Sequence, residues 1–390
     1  MMFQTFQNQM FFKDKFVPFE LSSITTKTWG YNKKFKGNKV DCAAIWASGQ
    51  SPEEACPETM LQSWKKSKTK IESILKSYVK VGINPSDINL KLAVPESILK
   101  NYFCSLDKIT EYVFLSYEKP LNYDFMFDLH WLVAEIAEQH LNFDLSLIQR
   151  KRFNTYFKRV GDNIKLGKTK VKYNPYGSVT GRFGLKQGSF PIMNLPKEAR
   201  SSIIPNNDAF IELDFNGAEL RTFLHLAGED QPEGDLHQWI SDSIFKGELN
   251  REKTKQKVFS WLYDPNKNEE ELEKVFKRGE VLQKHFDGCF VSTPFGRKIK
   301  SDDYHALNYL IQSTSSDLFL RQVIKIFKML DGKKSKIAFT IHDSVVLDFA
   351  KEDQNLLKDL IQAFKETNFG IFKVNISGGK NFGEMKNIPL

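Results

Sequence analysis

The stretch Phe210-Ile-Glu-Leu-Asp-Phe-Asn-Gly-Ala-Glu-Leu-Arg221 decides the fold, because a strand-like run ends at Asp214 and continues directly into a helix-like run. An aspartate at the end of a strand is most often a turn residue or a helix cap. The meaning of Asp214 therefore depends on which residues the rest of the chain places beside it.

A second strand-like run ends at another aspartate far downstream. The run Ile337-Ala-Phe-Thr-Ile-His-Asp343 reaches a position where a tight turn is expected, and the chain returns as Val345-Val-Leu-Asp-Phe349. Strand and helix patterns alternate from Phe210 onwards, so both aspartates are predicted on one sheet of a mixed α+β fold. Such a pair suits two-metal phosphoryl transfer, in which cations about 4 Å apart share acidic ligands on a rigid sheet.

Length and composition are those of a globular protein of two or three domains. The chain has 390 residues, 41% of them hydrophobic, and no apolar run long enough to cross a bilayer. Residues 1–19 lack the features of a secretory signal. The four cysteines have no CxxC spacing, which favours a reducing, cytoplasmic compartment and argues against a structural zinc site: Cys42, Cys56, Cys104 and Cys289.

The charge pattern permits a polyanionic partner. The net charge is +8, which is modest for this length. Basic and aromatic residues are interleaved over residues 150–159 and, more sparsely, over residues 165–173. Such stretches can follow a nucleic-acid backbone and stack on bases. They are explained equally well as solvated helix and hairpin surface.

A basic helix is predicted between the two aspartates, in Arg251-Glu-Lys-Thr-Lys-Gln-Lys-Val-Phe-Ser-Trp-Leu-Tyr263. Residues spaced by four form one stripe on a helix, and here cations occupy the first half of the stripe and aromatics the second. Arg251 and Lys255 could therefore clamp a triphosphate while Phe259 stacks on a base. A generic amphipathic helix would show much of the same pattern.

The order of these stretches resembles the three polymerase motifs of family A DNA polymerases, and the resemblance covers about residues 170–390. The further matches are Thr180-Gly-Arg182, Met193-Asn-Leu-Pro196, Asp235-Leu-His237, Asn308-Tyr-Leu-Ile-Gln312 and Gly379-Lys-Asn-Phe-Gly-Glu384. The resemblance implies a template-directed DNA polymerase that extends a primer 3′-hydroxyl with dNTPs. It also implies a right-hand fold with an antiparallel-sheet palm, helical fingers and a helical thumb.

The resemblance implies a division of the chain into five segments. The expected segments are an N-terminal region of unknown role (1–58), a helical thumb-like part (59–165), a first palm part (166–215), fingers (216–299) and a second palm part (300–390). Residues 1–170 contain no convincing Asp-x-Glu strand of a 3′–5′ exonuclease. We therefore expect a compact, phage-like enzyme of a bacterial or phage-infected cell, without proofreading in this chain and with no membrane partner. A separate exonuclease or a processivity or helicase subunit would be a further partner.

The resemblance also implies roles for individual residues. Asp214 and Asp343, helped by the backbone carbonyl of Phe215, would carry two Mg²⁺ ions. The residues expected to contact the incoming nucleotide are His237, Arg251, Lys255, Phe259 over the base pair, Tyr263 beside the templating position and Glu219 as the steric gate against ribose. The residues expected to contact the DNA primer-template are Arg182, Asn308, Gln312 and His342.

This chain departs from the family pattern in places that keep other activities open. Ser344 follows His-Asp where family A members usually have glutamate, Gly217 replaces a larger residue, and Asp264-Pro265 follows Tyr263. One alternative is a single-subunit RNA polymerase-like enzyme, which Ser344 favours and which Glu219 and Phe259 oppose. Another is a catalytically impaired relative that only binds primer-template.

Overall fold

The computed structural model describes residues 33–35, 38–40, 56–83, 93–116, 123–175, 177–264 and 266–388. The chain divides into two compact units, Met1–Trp131 and Leu132–Leu390. None of the helices in the described ranges is long and apolar enough to span a membrane. The predictions made for most of residues 1–58 lie outside the described residues.

The first unit is mainly helical where it is described. Its elements are β1 (Lys33–Phe35), β2 (Asn38–Val40), α1 (Glu58–Lys80), α2 (Glu96–Ser116) and the start of α3 (Tyr123–Glu138). Leu61, Trp64 and Ile71 are fully buried on one side of α1, as their helical spacing predicts. The Ser105 hydroxyl of α2 donates a 3.0 Å hydrogen bond to Ser63 of α1. Both helices agree with the helical character expected from residue 59 onwards.

Six further elements lie between α3 and Asp214, and four helices follow Asp214. They are β3 (Asn142–Phe143), α4 (Leu145–Arg150), α5 (Thr155–Lys165), β4 (Tyr173–Asn174), β5 (Gly184–Leu185), β6 (Ile203–Ile204), α6 (Ala218–Leu226), α7 (Leu236–Trp239), α8 (Arg251–Tyr263) and α9 (Glu270–Phe276). β3 pairs with β6, so the helical region expected over 59–165 is interrupted between Glu138 and Leu145.

The second unit is built on a five-stranded antiparallel sheet. Its strands are β7 (Ala209–Phe215), β10 (Lys336–Ile341), β11 (Ser344–Phe349), β14 (Val374–Gly379) and β15 (Lys386–Asn387). The spatial order is β10-β11-β7-β14-β15, and every neighbouring pair is antiparallel. The two runs predicted as strands at Asp214 and Asp343 therefore belong to one antiparallel sheet, as expected.

Helices pack on one face of this sheet, and the other face carries two acidic residues of β7. The remaining elements are α10 (Arg278–His285), β8 (Phe290–Ser292), β9 (Lys298–Lys300), α11 (Ala306–Met329), α12 (Leu357–Lys365), β12 (Glu366–Thr367) and β13 (Gly370–Ile371). The Phe215 ring stacks on Phe364 of α12 at 4.3 Å and meets Phe319 of α11 edge-on at 6.3 Å. Since side chains alternate along a strand, Glu212 and Asp214 lie on the opposite face.

A second apolar core holds the inserted helices together. Phe223 of α6 is fully buried, stacks on Trp261 of α8 at 6.0 Å and packs at a tilt against Phe276 of α9 at 5.0 Å. The same cluster includes Val291 of β8 and Leu310 of α11. This core fixes α8 and α6 relative to each other, and both helices carry predicted site residues. Helices α6, α8 and α9 lie within residues 216–299, the segment expected to form helical fingers.

Candidate active site

Strand register brings Asp214 and Asp343 to the same end of the sheet. Asp214, near the end of β7, lies opposite Ser344, the first residue of β11. Asp343 immediately precedes Ser344, and its carbonyl accepts a 3.4 Å hydrogen bond from the Phe215 amide. The hairpin between β10 and β11 closes at His342, whose φ of +51° is a left-handed conformation suited to a tight turn. The predicted pairing of the two aspartates at one sheet end is therefore present.

Both carboxylates are held in an environment that opposes their negative charge. Burial raises the pKa of Asp214 to about 6, a hydrogen bond from Asn375 Nδ2 at 3.1 Å partly offsets this, and the charges of Glu212 and Asp343 raise it further. Burial also raises the pKa of Asp343, and the charge of Glu219 adds to that effect. The positive charges of Arg182 and His342 only partly compensate.

The two aspartates fit a divalent-cation site better than they fit an ion pair. Within the described ranges, neither carboxylate forms a salt bridge with a lysine or arginine, so the protein relieves their unfavourable charge only in part. Carboxylate and carbonyl oxygens are the donors that Mg²⁺ prefers. No three His, Cys, Asp or Glu side chains in that part of the chain converge closely enough to enclose a metal. A cation held here would therefore keep water or substrate oxygens among its ligands.

Glu219 joins three separate parts of the chain beside Asp343. It lies on α6 and is buried. Its two oxygens accept hydrogen bonds from different donors, the Arg182 guanidinium and the Tyr263 hydroxyl at the end of α8. Burial raises the pKa of Tyr263, and the hydrogen bond to Glu219 adds to the shift. The residue predicted as a steric gate is thus fixed between the loop of residues 180–182 and the basic helix.

Gly217 makes the step from β7 to α6 possible. Its φ is +69°, a left-handed value that glycine adopts readily and other residues adopt at a cost. A Cβ at this position would lie 2.9 Å from Cδ2 of Leu236. The departure from the family pattern at Gly217 therefore has a local steric reason. The turn carries the chain from Asp214 to Glu219 within one short segment.

The predicted triphosphate-binding cations lie together near the start of α8. Asp235 accepts two hydrogen bonds from Arg251, at 3.0 Å from Nε and 2.9 Å from Nη2, and Glu252 accepts a third at 2.9 Å. Burial lowers the pKa of His237, and the charges of Arg251 and Lys255 lower it further. His237 Nδ1 is buried with no hydrogen-bond partner among the described residues. Arg251 and Lys255 form a cationic cluster on α8 in which Arg251 is already paired, and His237 beside them is held toward its neutral form.

The aromatic half of the predicted stripe is also formed. The rings of Phe259 and Tyr263 lie one turn apart, nearly parallel, with centroids 5.8 Å apart. His237 lies against Phe259 at 5.7 Å, which connects the aromatic half to the cationic half. Helix α8 ends at Tyr263, and Asp264 has extended backbone. The basic helix predicted over residues 251–263 is confirmed; Pro265 lies outside the described residues.

The four residues predicted to contact DNA do not form a single cluster. Arg182 is bonded to Glu219, and His342 is exposed at the hairpin turn close enough for its charge to act on Asp343. Asn308 and Gln312 lie one turn apart on α11, where Gln312 Nε2 donates to Asn308 Oδ1 at 3.1 Å. No contact recorded in the described part of the chain joins Asn308 or Gln312 to the aspartates.

Several residues that organise the site were missed from the sequence. Arg297 forms two hydrogen bonds with Asp317, at 3.0 and 2.6 Å, and a Cβ on Gly181 would overlap the Arg297 guanidinium. Arg297 thus supports the loop that carries Arg182. Glu212 accepts one hydrogen bond each from the hydroxyls of Ser344 and Ser377. Only its position two residues before Asp214, on the same face of a strand, could have pointed to Glu212.

Comparisons with known proteins place the fold among polymerases of the DNA polymerase I type. The structure resembles the POL domain of Pol1 from M. smegmatis, solved in complex with DNA primer-template and dNTP, with a TM-score of 0.56 at 13% identity. The match covers 80% of this chain and 78% of that one. It confirms the predicted α+β polymerase fold.

Sequence comparison points to the same class. DNA polymerase I of Caldicellulosiruptor bescii is 21% identical over 321 residues, and the thermostable DNA polymerase I of Thermus aquaticus is 22% identical over 278 residues. These matches cover 67% and 57% of this chain but only 37% and 33% of the relatives. No protein-family model matches the chain. The predicted resemblance to family A DNA polymerases is confirmed at this level of similarity, and the chain spans about a third of the length of these relatives.

Proposed function

We propose that this chain is a template-directed DNA polymerase that extends a primer 3′-hydroxyl with dNTPs by two-metal-ion phosphoryl transfer. The observation that carries the proposal is the placement of Asp214 and Asp343 at one sheet end, where neither forms a salt bridge with a lysine or arginine of the described residues. The cationic cluster on α8 and the network around Glu219 support it, because they offer separate places for a triphosphate and a sugar.

Asp214 and Asp343, with the backbone carbonyl of Phe215, would hold two Mg²⁺ ions. When bound, these ions would lower the pKa of the primer hydroxyl and neutralise the developing charge on the triphosphate and pyrophosphate. The protein contributes a fixed separation of the carboxylates, because β7 and β11 are hydrogen-bonded neighbours in a sheet whose other face is packed against α11 and α12. Burial and neighbouring carboxylates destabilise the negative charges of both aspartates, and a bound cation would relieve that destabilisation.

The nucleotide would occupy the surface between α8 and Glu219. Arg251, Lys255 and His237 would bind the phosphates, and Arg251 would exchange its bonds to Asp235 and Glu252 for phosphate oxygens. Phe259 would cover the base, and Tyr263 would sit beside the template base. Glu219, fixed by its two donors, would leave no room for a ribose 2′-hydroxyl.

The primer-template would be held by groups on both sides of the aspartates. Arg182 and His342 lie within electrostatic range of Asp343, and Asn308 and Gln312 would contact the duplex near its growing end. Residues 150–159 supply a basic and aromatic surface on which the Phe153 ring is 88% exposed. Such a surface suits phosphate contacts and base stacking. We keep the five expected segments, the absence of proofreading in this chain and the cytoplasmic setting as parts of this proposal.

The test is primer extension on a primed template with Mg²⁺. Asp343→Ala should abolish extension, a loss of at least about 1,000-fold, because several kcal/mol of charge stabilisation depend on the metals. Affinity for primer-template should stay within a few-fold of the wild-type value. Asp331→Ala removes an exposed carboxylate from the turn after α11 and serves as the matched control.

Extension by Asp343→Ala at the wild-type rate would contradict the metal assignment. Parallel reactions with dNTPs and with rNTPs distinguish the DNA polymerase from the RNA polymerase-like alternative. A wild-type chain that binds primer-template but extends it with neither substrate would identify the impaired relative. Digestion of the primer from its 3′ end would show that the chain has a proofreading activity.

A further inference from the structure

Glu212 is a third carboxylate on the face of the sheet that carries Asp214. It lies two residues before Asp214 in β7, so both side chains leave the strand on the same side. Its Oε1 accepts a 3.0 Å hydrogen bond from the Ser344 hydroxyl, and its Oε2 accepts one of 3.0 Å from the Ser377 hydroxyl. These serines belong to the strands on either side of β7, so Glu212 is fixed from both sides.

The contacts of Glu212 fix its position without neutralising its charge. The side chain is half-buried, and no lysine or arginine among the described residues forms a salt bridge with it. Hydroxyl donors satisfy one acceptor position on each oxygen and leave a second one open. A half-buried carboxylate beside another carboxylate is unfavourable unless a cation is nearby. Glu212 is therefore pre-positioned, with free acceptor positions, for a positively charged ligand.

Ser344 links Glu212 directly to the predicted metal ligands. It follows Asp343 in the chain and lies opposite Asp214 in the sheet. Its single hydroxyl proton is shared between Glu212 Oε1 and the Ile341 carbonyl, each 3.0 Å from the Ser344 oxygen, and the second contact lies within the hairpin turn. The position next to Asp343 thus carries a hydroxyl that holds the carboxylate of the neighbouring strand.

We propose that Glu212 is a positioning carboxylate of the divalent-cation site, which binds water ligands of the cations and is itself held by Ser344 and Ser377. This inference rests on the proposed two-metal function. The role is an outer one, because no three acidic or histidine side chains in the described residues converge on one point. Mg²⁺ keeps several waters, and carboxylates that accept hydrogen bonds from such waters orient them and strengthen metal binding.

A purely structural role makes a different prediction. If Glu212 only joined β11 to β14 through the two serines, its acceptor atoms would matter and its charge would not. Glu212→Gln keeps the size and one carbonyl oxygen but removes the charge, whereas Glu212→Ala removes the hydrogen bonds as well. Comparing Glu212→Gln with Glu212→Ala therefore distinguishes the two roles.

The experiment measures Mn²⁺ binding by electron paramagnetic resonance in the full chain with a dideoxy-terminated primer-template and the complementary dNTP. This readout does not require turnover. Both Glu212→Gln and Glu212→Ala should weaken Mn²⁺ binding about 10-fold. Glu352→Gln, which removes a 68%-exposed carboxylate elsewhere in the same unit, should bind Mn²⁺ like the wild type. A thermal melt of each variant verifies that the fold is retained.

Unchanged Mn²⁺ affinity in Glu212→Gln would overturn the proposal, as would a loss confined to Glu212→Ala. The variant Asp343→Asn shows whether only the role of Glu212 is wrong or whether the proposed two-metal function is wrong as well. If wild-type chain binds Mn²⁺ in an Asp343-dependent manner and extends primers, but Glu212→Gln matches it, only the role of Glu212 is wrong. If the wild type shows no Asp343-dependent Mn²⁺ binding, the two-metal function and the role of Glu212 fail together.

Discussion

The sheet around Asp214 and the basic helix α8 hold their functional side chains in different ways. In the sheet, the positions of Asp214 and Asp343 follow from backbone register between β7 and β11, and packed aromatic rings support the opposite face. On α8, Arg251 and Tyr263 are placed by side-chain hydrogen bonds to Asp235 and Glu219. Backbone register cannot shift without breaking a ladder, whereas side-chain partners can be exchanged.

The two regions also differ in how their charges are balanced without ligands. The aspartates have raised pKa values because burial and neighbouring carboxylates oppose their ionisation. Arg251 instead has a raised pKa because Asp235 accepts its hydrogen bonds. The sheet thus needs added cations, and the helix already has its counter-charges. We infer that the sheet is a preformed metal-binding surface and that α8 binds anions by exchanging partners.

Among the predictions that compare the two regions, the largest effect is expected at Glu219, which lies at their junction. Glu219→Ala leaves Arg182 and Tyr263 without their shared acceptor and opens the space beside Asp343. We expect discrimination between dNTPs and rNTPs to fall by about 100-fold, because a steric barrier to the 2′-hydroxyl is removed. The measurement is the ratio of kcat/KM values for a matched dNTP and rNTP.

The ratio is the informative quantity, since loss of the Glu219 charge also changes the surroundings of Asp343. Glu248→Ala, at an exposed position outside this network, is the control and should leave the ratio unchanged. Unchanged sugar selectivity in Glu219→Ala would exclude Glu219 from the gate.

A smaller effect is expected on the helix itself. Arg251→Ala should raise the half-saturating dNTP concentration about 10-fold or more, because a charged hydrogen bond to phosphate is worth about 1.5–3 kcal/mol. Lys253→Ala removes the same charge from an exposed part of the same helix. It should have little effect, and equal effects of the two variants would mean that only the net charge of α8 matters.

The sequence predicted those features of the site that follow from local patterns. Alternation and turn chemistry placed Asp214 and Asp343 at strand ends, and spacing by four placed Arg251 and Phe259 on one stripe of a helix. These features depend on residues that are close together in the chain, or on the order in which the motifs occur in the sequence. The antiparallel sheet joining both aspartates followed from the resemblance and is confirmed by the register of β7 and β11.

The features that the sequence did not predict depend on register between distant segments. Glu212 meets Ser344 only because β7 and β11 pair in one register, and a shift of one residue would turn Glu212 to the helix face. Arg297 meets Asp317 through packing of a hairpin on α11. Nothing within the local sequence of either partner specifies these contacts.

A stability effect is expected where the chain leaves the sheet for α6. Gly217→Ala should lower the free energy of unfolding by about 1–2 kcal/mol, because φ is +69° and the added methyl would lie against Leu236. Chemical denaturation measures this change. Gly234→Ala is the control, since a Cβ there has nothing within 4 Å and no left-handed φ is recorded for it. Equal stability of Gly217→Ala and wild type would mean that the turn adjusts freely.

The smallest effect is a pH dependence that separates the sheet from the helix. Without divalent cations, the pKa of Asp214 rises from 3.8 to about 6 on folding. The folded state therefore binds a proton that the unfolded state releases, so this contribution to stability is complete below pH 3.8 and is lost as pH rises through 6. In EDTA, the Tm of wild type should fall by a few degrees relative to Asp214→Asn between pH 4 and 7.5.

Asp235 should behave in the opposite way and supplies the matched control. Burial opposes its ionisation, but hydrogen bonds from Arg251 and Asn216 outweigh burial and lower its pKa below 3.8. Its contribution is therefore present above pH 3.8 and is lost only below it, so the Tm difference between wild type and Asp235→Asn should stay constant from pH 5 to 7.5. Added Mg²⁺ should reduce the Tm difference between wild type and Asp214→Asn at pH 7.5. It should leave the Tm difference between wild type and Asp235→Asn unchanged. Only the sheet is expected to hold uncompensated charge. If the Tm differences of both variants changed with pH in the same way, the two regions would not differ in charge balance.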